Sequence, residues 1–182
     1  MNPSAHELSG VDRFTDVLNR GFSVVFRHWI AVASVWALVT VGGALLTPWL
    51  ASRGFGTAAQ LLYWAYRPLC PQRPDHSFFI AGHKMAFEQR ETAMFVAGAV
   101  AGPVYVLLRR ACIRVPGRLA IAAVVPMFVD VATQVVGLRE SDGFWRFLTG
   151  ALAALAAAAW VYPKLDADFS SPMIVRSTET TE

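Results

Sequence analysis

Across 182 residues the chain is 55% hydrophobic and 16% charged, with a formal net charge of +3 and a mean hydropathy of +0.42. That apolar share exceeds the roughly 45–50% of a soluble globular domain, so the excess must face lipid rather than water, and the length leaves room for one domain. Three surplus positive charges, scattered along the chain, are too few to argue for nucleic acid as a partner and read instead as a bias of Lys and Arg toward one membrane face.

Residues 1–28 form a cytoplasmic N-terminal segment. In it Val11, Phe14, Leu18, Phe22 and Val25 recur every three or four positions while Arg13, Asp16 and Arg20 take the other side, which predicts an amphipathic helix lying on the membrane surface. These charges and the lack of an apolar centre argue against a cleaved signal peptide. The first span, 29–50, runs for 22 residues without a charge. At about 1.5 Å per residue it covers a hydrocarbon layer of roughly 30 Å, and Trp29 and Trp49 bracket it at the two interfaces.

Residues 51–91 make the one long connection, broken by Pro68, Pro71 and Pro74 and carrying Arg53, Arg67, Arg73, Lys84 and Arg90. Within it Ala58 to Tyr66 and Ser77 to Phe87 are apolar runs too short to span, so both are expected to be interfacial or re-entrant pieces. The second span, 92–108, holds Gly98 and Gly102 at GxxxG spacing, the pattern of a close helix contact and the candidate face for a homo-oligomer or a partner membrane subunit. Arg109, Arg110, Arg114 and Arg118 then crowd a short connection that has no acidic residue, which places that connection in the cytoplasm. The third span, 119–136, contains Asp130 and Gln134, and the fourth, 147–162, is alanine-rich between Trp145 and Trp160. The tail, 164–182, is read as disordered and cytoplasmic.

The predicted architecture is therefore all-α: an integral membrane bundle of four transmembrane helices over 29–163, with an amphipathic N-terminal helix and a re-entrant or interfacial outer loop. Both termini are expected in the cytoplasm of a multi-pass protein of the plasma or inner membrane, with the bilayer as its main partner. Cys70 and Cys112 fall on opposite sides in this topology, so no disulfide between them is expected.

Asp130 is the first candidate for a site, because a carboxylate within a span costs about 2.5–3.5 kcal/mol on insertion scales and must face a cavity or a partner. Arg90, at the outer start of the second span, is within reach of it, and Gln134 lies one turn outward on the same face. A proton or cation relay and a structural clasp between two helices both fit these residues. Glu88 and Glu91 stand three apart and, with His83 or His76, would make an oxygen-and-nitrogen metal site; an acidic first turn of a helix accounts for them equally. Cys70 is a possible nucleophile but lacks a local histidine and asparagine, and reads as a small buried side chain. Arg73, Arg139 and Arg146 would clamp an anionic headgroup or simply snorkel to phosphate.

Two ordered blocks carry a family resemblance. The first is CPQRPDHSFFI at 70–80, GHKMAF at 82–87 and EQRET at 88–92; the second is PMFVDV at 126–131, Gln134, GLRES at 137–141 and RFLTG at 146–150. Together they resemble the domain of unknown function 2085, a family of small prokaryotic membrane proteins, over roughly Leu69 to Gly150. The resemblance implies a membrane location and no particular activity. The family's pattern has a histidine after the first cysteine and a Cys-x-x-Cys further on, four donors suited to a soft metal or redox pair. This chain has Pro71 after Cys70, and Glu88 and Glu91 at the Cys-x-x-Cys positions. Only Cys70 of the four remains, so neither a metal nor a cofactor is expected; Cys70, Glu88 and Glu91 are the candidates if one binds.

The favoured function is a non-enzymatic binding or scaffold component in which Asp130, Arg90, Arg73, Gln134, His83, Arg139 and Arg146 supply a buried polar cluster near the outer face. The alternatives are a small oligomeric transporter or ion-conducting protein that uses Asp130, and a membrane enzyme acting on lipid or quinone with Cys70, Glu88 and Glu91 in its site. No phosphate loop, HExxH or GxSxG motif is present to favour a common enzyme class.

Overall fold

A computed structural model describes residues 28–111 and 115–170, together with Val17. The expected amphipathic stretch 11–25, apart from Val17, the end of the tail and Cys112 lie outside the described residues. Residues 30–163 form one compact unit, which holds the cap and both polar clusters described below.

Among the described residues, five α-helices carry the fold: α1, Trp29–Ser52; α2, Gly56–Tyr66; α3, Gln89–Leu108; α4, Gly117–Val135; and α5, Gly143–Ser170. Four stretches, Trp29–Ser52, Gln89–Ala111, Gly117–Val135 and Gly143–Ala167, are long and apolar enough to cross a membrane. All four expected spans are present; three run two or more residues beyond the expected bounds, and the third is shifted by one or two residues at each end. In α4 only 11% of the most apolar window is buried within the chain, and Leu119, Ile121, Phe128 and Val129 stand exposed. Such a surface requires lipid or another apolar chain as its surroundings. Helix α5 also continues through Lys164 to Ser170, seven residues into the stretch expected to be tail; Lys, Leu and Ala there favour helix and no glycine stops it.

Each span contains one proline, Pro48, Pro103, Pro126 or Pro163. The missing N–H frees one carbonyl in each case, which a span tolerates where neighbours fill the gap. Hydroxyls are kept from lipid by bonding back along the helix: Thr40 to Trp36 O at 2.7 Å, Thr47 to Gly43 O at 3.0 Å and Thr149 to Trp145 O at 2.7 Å. Helices meet at small residues. A Cβ added at Gly102 would lie 2.0 Å from Ser34 Oγ and 3.1 Å from Ile30 Cγ2, whereas one at Gly98 would meet nothing within 4 Å. Of the GxxxG pair, Gly102 is therefore used inside the chain, between α3 and α1.

The long connection is a folded cap. After α2 comes a 3-10 turn, Pro74–His76, and then an antiparallel hairpin of β1, Ser77–Ile80, and β2, His83–Glu88. Ile80 pairs with His83, Phe79 with Lys84 and Ser77 with Glu88, with a bulge between Ser77 and Phe79. The turn residues Ala81 and Gly82 take φ of 50° and 81°, the positive values that match the twist of a two-residue hairpin. The run Ser77 to Phe87 is thus a strand pair, a detail that length and apolarity alone do not disclose.

The cap has its own core of Cys70, Met85, Ala86 and Phe87 against Ala44 of α1, with Tyr63, Tyr66 and Phe95 packed around it. Phe87, fully buried, stacks on Phe95 with centroids 5.0 Å apart and meets the edge of Tyr66 at 5.0 Å. Tyr66 donates to Thr40 O at 2.7 Å, fixing α2 to α1. Tyr63 donates to Lys84 O, Lys84 Nζ to Gln72 O at 2.7 Å, and Gln72 Nε2 to Tyr63 O at 2.8 Å, closing a ring of bonds that ties α2 to β2.

Candidate functional site

Two polar clusters flank the first turn of α3. Helical spacing separates them: Glu88 and Glu91, three apart, share one side, while Arg90 points to another.

The first cluster is built by the end of α4. Gly137, at φ 70°, sits where a left-handed residue closes a helix: Leu138 N–H donates to Thr133 O at 2.9 Å and Gly137 N–H to Gln134 O at 3.1 Å, the pair of bonds that defines a Schellman cap. The reversal brings Arg139 back over the last turn. Asp130 Oδ2 then accepts from Arg90 Nη2 at 2.5 Å and from Gln134 Nε2 at 3.0 Å, and Oδ1 lies 3.4 Å from Arg139 Nη2. Thr133 Oγ1 and Gln134 Nε2 also donate to the Asp130 carbonyl, at 3.0 and 2.9 Å. The Asp130 side chain is 6% exposed, that of Arg90 18% and that of Arg139 56%, so the inner pair is the desolvated one. Helix α5 crosses closely here: a Cβ at Gly150 would lie 2.8 Å from Arg90 O.

The second cluster lies under the hairpin. Glu88, the residue before α3, accepts from Arg73 N–H at 3.0 Å and faces Arg73 Nε at 3.6 Å and His76 Nδ1 at 3.4 Å. Its own N–H donates to Cys70 Sγ at 3.3 Å. His76 Nε2 meets Asp75 at 3.0 Å. Glu91, in the first turn of α3, completes a set in which donor atoms of Cys70, Glu88 and Glu91 all lie within 4.8 Å of one another. Its Oε2 is buried and has no hydrogen-bond partner. Burial pushes the Cys70 thiol above its ordinary value of 9.0, and the adjacent Glu91 and Glu88 carboxylates push the same way against two backbone hydrogen bonds.

Asp130, Arg90 and Gln134 come together, and Arg139 joins them by way of the turn after α4. Arg73 does not join them: its backbone bond to Glu88 holds its side chain in the second cluster, which divides the single cluster expected from the sequence. Arg146 is buried and ties α5 to the cap by donating from Nη1 to Asp75 O at 3.2 Å, its Nε unpartnered. His83 is exposed beside the hairpin turn and belongs to neither cluster; of the two histidines weighed as neighbours of Glu88, the structure selects His76. Tyr63 and Gln72, which lock the cap, carried no pattern visible in the sequence. Their partners are backbone carbonyls, whose positions only the folded chain sets.

Residues 70–160 match the family described as predicted membrane proteins, DUF2085. The chain belongs to this family. The matched stretch starts at Cys70 and so takes in both clusters. An uncharacterized protein of Methanocaldococcus jannaschii is 36% identical over 104 residues, 56% of this chain and 67% of its own. Another, of Methanothermobacter thermautotrophicus, is 31% identical over 100 residues, 51% of this chain and 84% of its own. No solved structure matches.

Proposed function

We propose that this membrane protein is a non-enzymatic binding or scaffold component, with the folded cap as its working face. One observation carries the reading: both Asp130 oxygens have partners, Arg90 and Gln134 on one and Arg139 on the other. A relay carboxylate needs lone pairs open to a passing proton or cation, and those of Asp130 are occupied by groups belonging to two helices and the turn between α4 and α5. Such an arrangement holds helices in register.

The test is proton flux in proteoliposomes driven by a pH gradient. Flux at the level of empty liposomes, with Asp130→Asn lowering thermal stability instead, supports the binding reading. Flux in the parent protein that Asp130→Asn abolishes would replace it with transport.

The same proposal places the chain in the cell membrane with both termini in the cytoplasm and the cap outside. Arg109, Arg110 and Arg118 beside the α3–α4 connection support this orientation. The exposed aromatic and aliphatic side chains of the cap, Phe55, Leu61, Trp64 and Phe79, suit the interface between headgroups and water. With Cys70 and Cys112 replaced by serine, Thr57→Cys should react with an impermeant maleimide on intact cells and Arg110→Cys only after permeabilisation. The opposite pattern inverts the topology.

A further inference from the structure

We propose that Cys70 Sγ, Glu88 and Glu91 bind one divalent transition-metal ion of the zinc type beneath the hairpin, with His76 positioning Glu88. The assignment gives the cap a ligand, so it deepens the binding reading, yet it stands on side chains that the Asp130 clasp does not use.

Three separate elements deliver the donors: the turn after α2, the end of β2 and the first turn of α3. Their ligand atoms lie within 4.8 Å of one another. Donors bound to zinc at about 2.0–2.3 Å sit roughly 3.3–3.8 Å apart, so about 1 Å of side-chain adjustment closes the set. Cys70 is 1% exposed and Glu88 6%, which removes water as a ready partner. The bland account, an acidic first turn that faces the helix dipole, explains why carboxylates are tolerated there. The Glu88 carboxylate is already met by Arg73 and His76, but that account leaves unexplained why the buried Glu91 Oε2 has no donor. A buried oxygen without a donor is costly, and a cation satisfies it.

The donor chemistry selects the ion. Thiolate disfavours magnesium and calcium, two carboxylates disfavour copper(I), and the mixed set suits zinc and its borderline neighbours. Three protein ligands leave a fourth position for water or a further ligand. His76 bridges Glu88 and Asp75, the arrangement by which an outer residue orients a ligand carboxylate. Binding replaces the S–H bond of Cys70 with a sulfur–metal bond and releases that proton to solvent.

The full chain, purified in detergent and stripped with a chelator, is titrated with Co2+ and then challenged with Zn2+. One cobalt per chain is expected, with a thiolate-to-cobalt charge-transfer band in the near ultraviolet that zinc abolishes. Cys70→Ser should lose the band and Glu91→Gln should weaken binding, both while remaining monodisperse and helical by circular dichroism. His76→Asn should keep the band and weaken binding about 10–100-fold. The exposed-site control Glu140→Gln should bind like the parent. No band in the parent, an undiminished band in Cys70→Ser, or an equal loss in the control overturns the assignment. Failure here alongside the expected Asp130→Asn result would leave the clasp intact and remove only the metal.

Discussion

Replacing Asp130 with alanine leaves the Arg90 guanidinium without its desolvated partner. Breaking a buried ion pair from one side costs about 3–5 kcal/mol, mostly because the remaining charge stays buried. Arg90 is 18% exposed, so it recovers some water and the cost should fall at the lower end, about 3 kcal/mol. Arg139, at 3.4 Å and 56% exposed, contributes at most about 1 kcal/mol. A hydrogen bond between membrane helices averages only about 0.6 kcal/mol, so the abandoned charge outweighs the lost bond. For a chain of this length each kcal/mol lowers Tm by about 2–4 °C, and Asp130→Ala should melt roughly 6–12 °C below the parent in detergent. Tryptophan fluorescence follows the transition. The paired change Arg90→Met with Asp130→Leu should recover much of the loss, since no charge is left behind. A loss no greater than that of Arg139→Ala, or a double variant no better than the sum of the singles, would refute the clasp.

Gly102→Leu should destabilise the packing of α3 on α1 by about 1–3 kcal/mol, because Ser34 and Ile30 occupy the space, while Gly98→Ala, with open space around it, should melt with the parent. Phe87→Ala should cost about 3–5 kcal/mol and expose Cys70 to thiol reagents, since Phe87 is the centre of the cap core; unchanged labelling of Cys70 would show that the cap does not depend on it. Alkaline pH should loosen the cap. Burial raises the Cys70 thiol above 9.0 and the Tyr63 and Tyr66 hydroxyls above 10.0. Groups raised in the folded state bind protons more tightly there, so their contribution is complete below the unfolded values and is lost as pH rises through the folded ones. Stability in detergent should be level up to about pH 9 and decline above it; a stable plateau well past pH 10 would contradict the burial of these three groups.

The sequence by itself determined that four apolar stretches are long enough to span a membrane, because hydropathy and length suffice when the surrounding medium is lipid. It also marked Asp130 as a carboxylate that must find a partner, with Arg90 and Gln134 within reach, but left open whether they form a relay or a clasp. The hairpin was not legible. Its turn is Ala-Gly rather than Asn-Gly, and β2 buries Met85 through Glu88 without alternation, so no period of two marks it. The return of Arg139 over Asp130 depends on Gly137 adopting a left-handed cap, and the capture of Arg73 by Glu88 depends on a backbone bond 15 residues apart in sequence. Tertiary structure alone decided that Cys70, Glu88 and Glu91 converge, since their approach is set by how the cap folds onto α1 and α3, and no local spacing encodes a contact made across three elements.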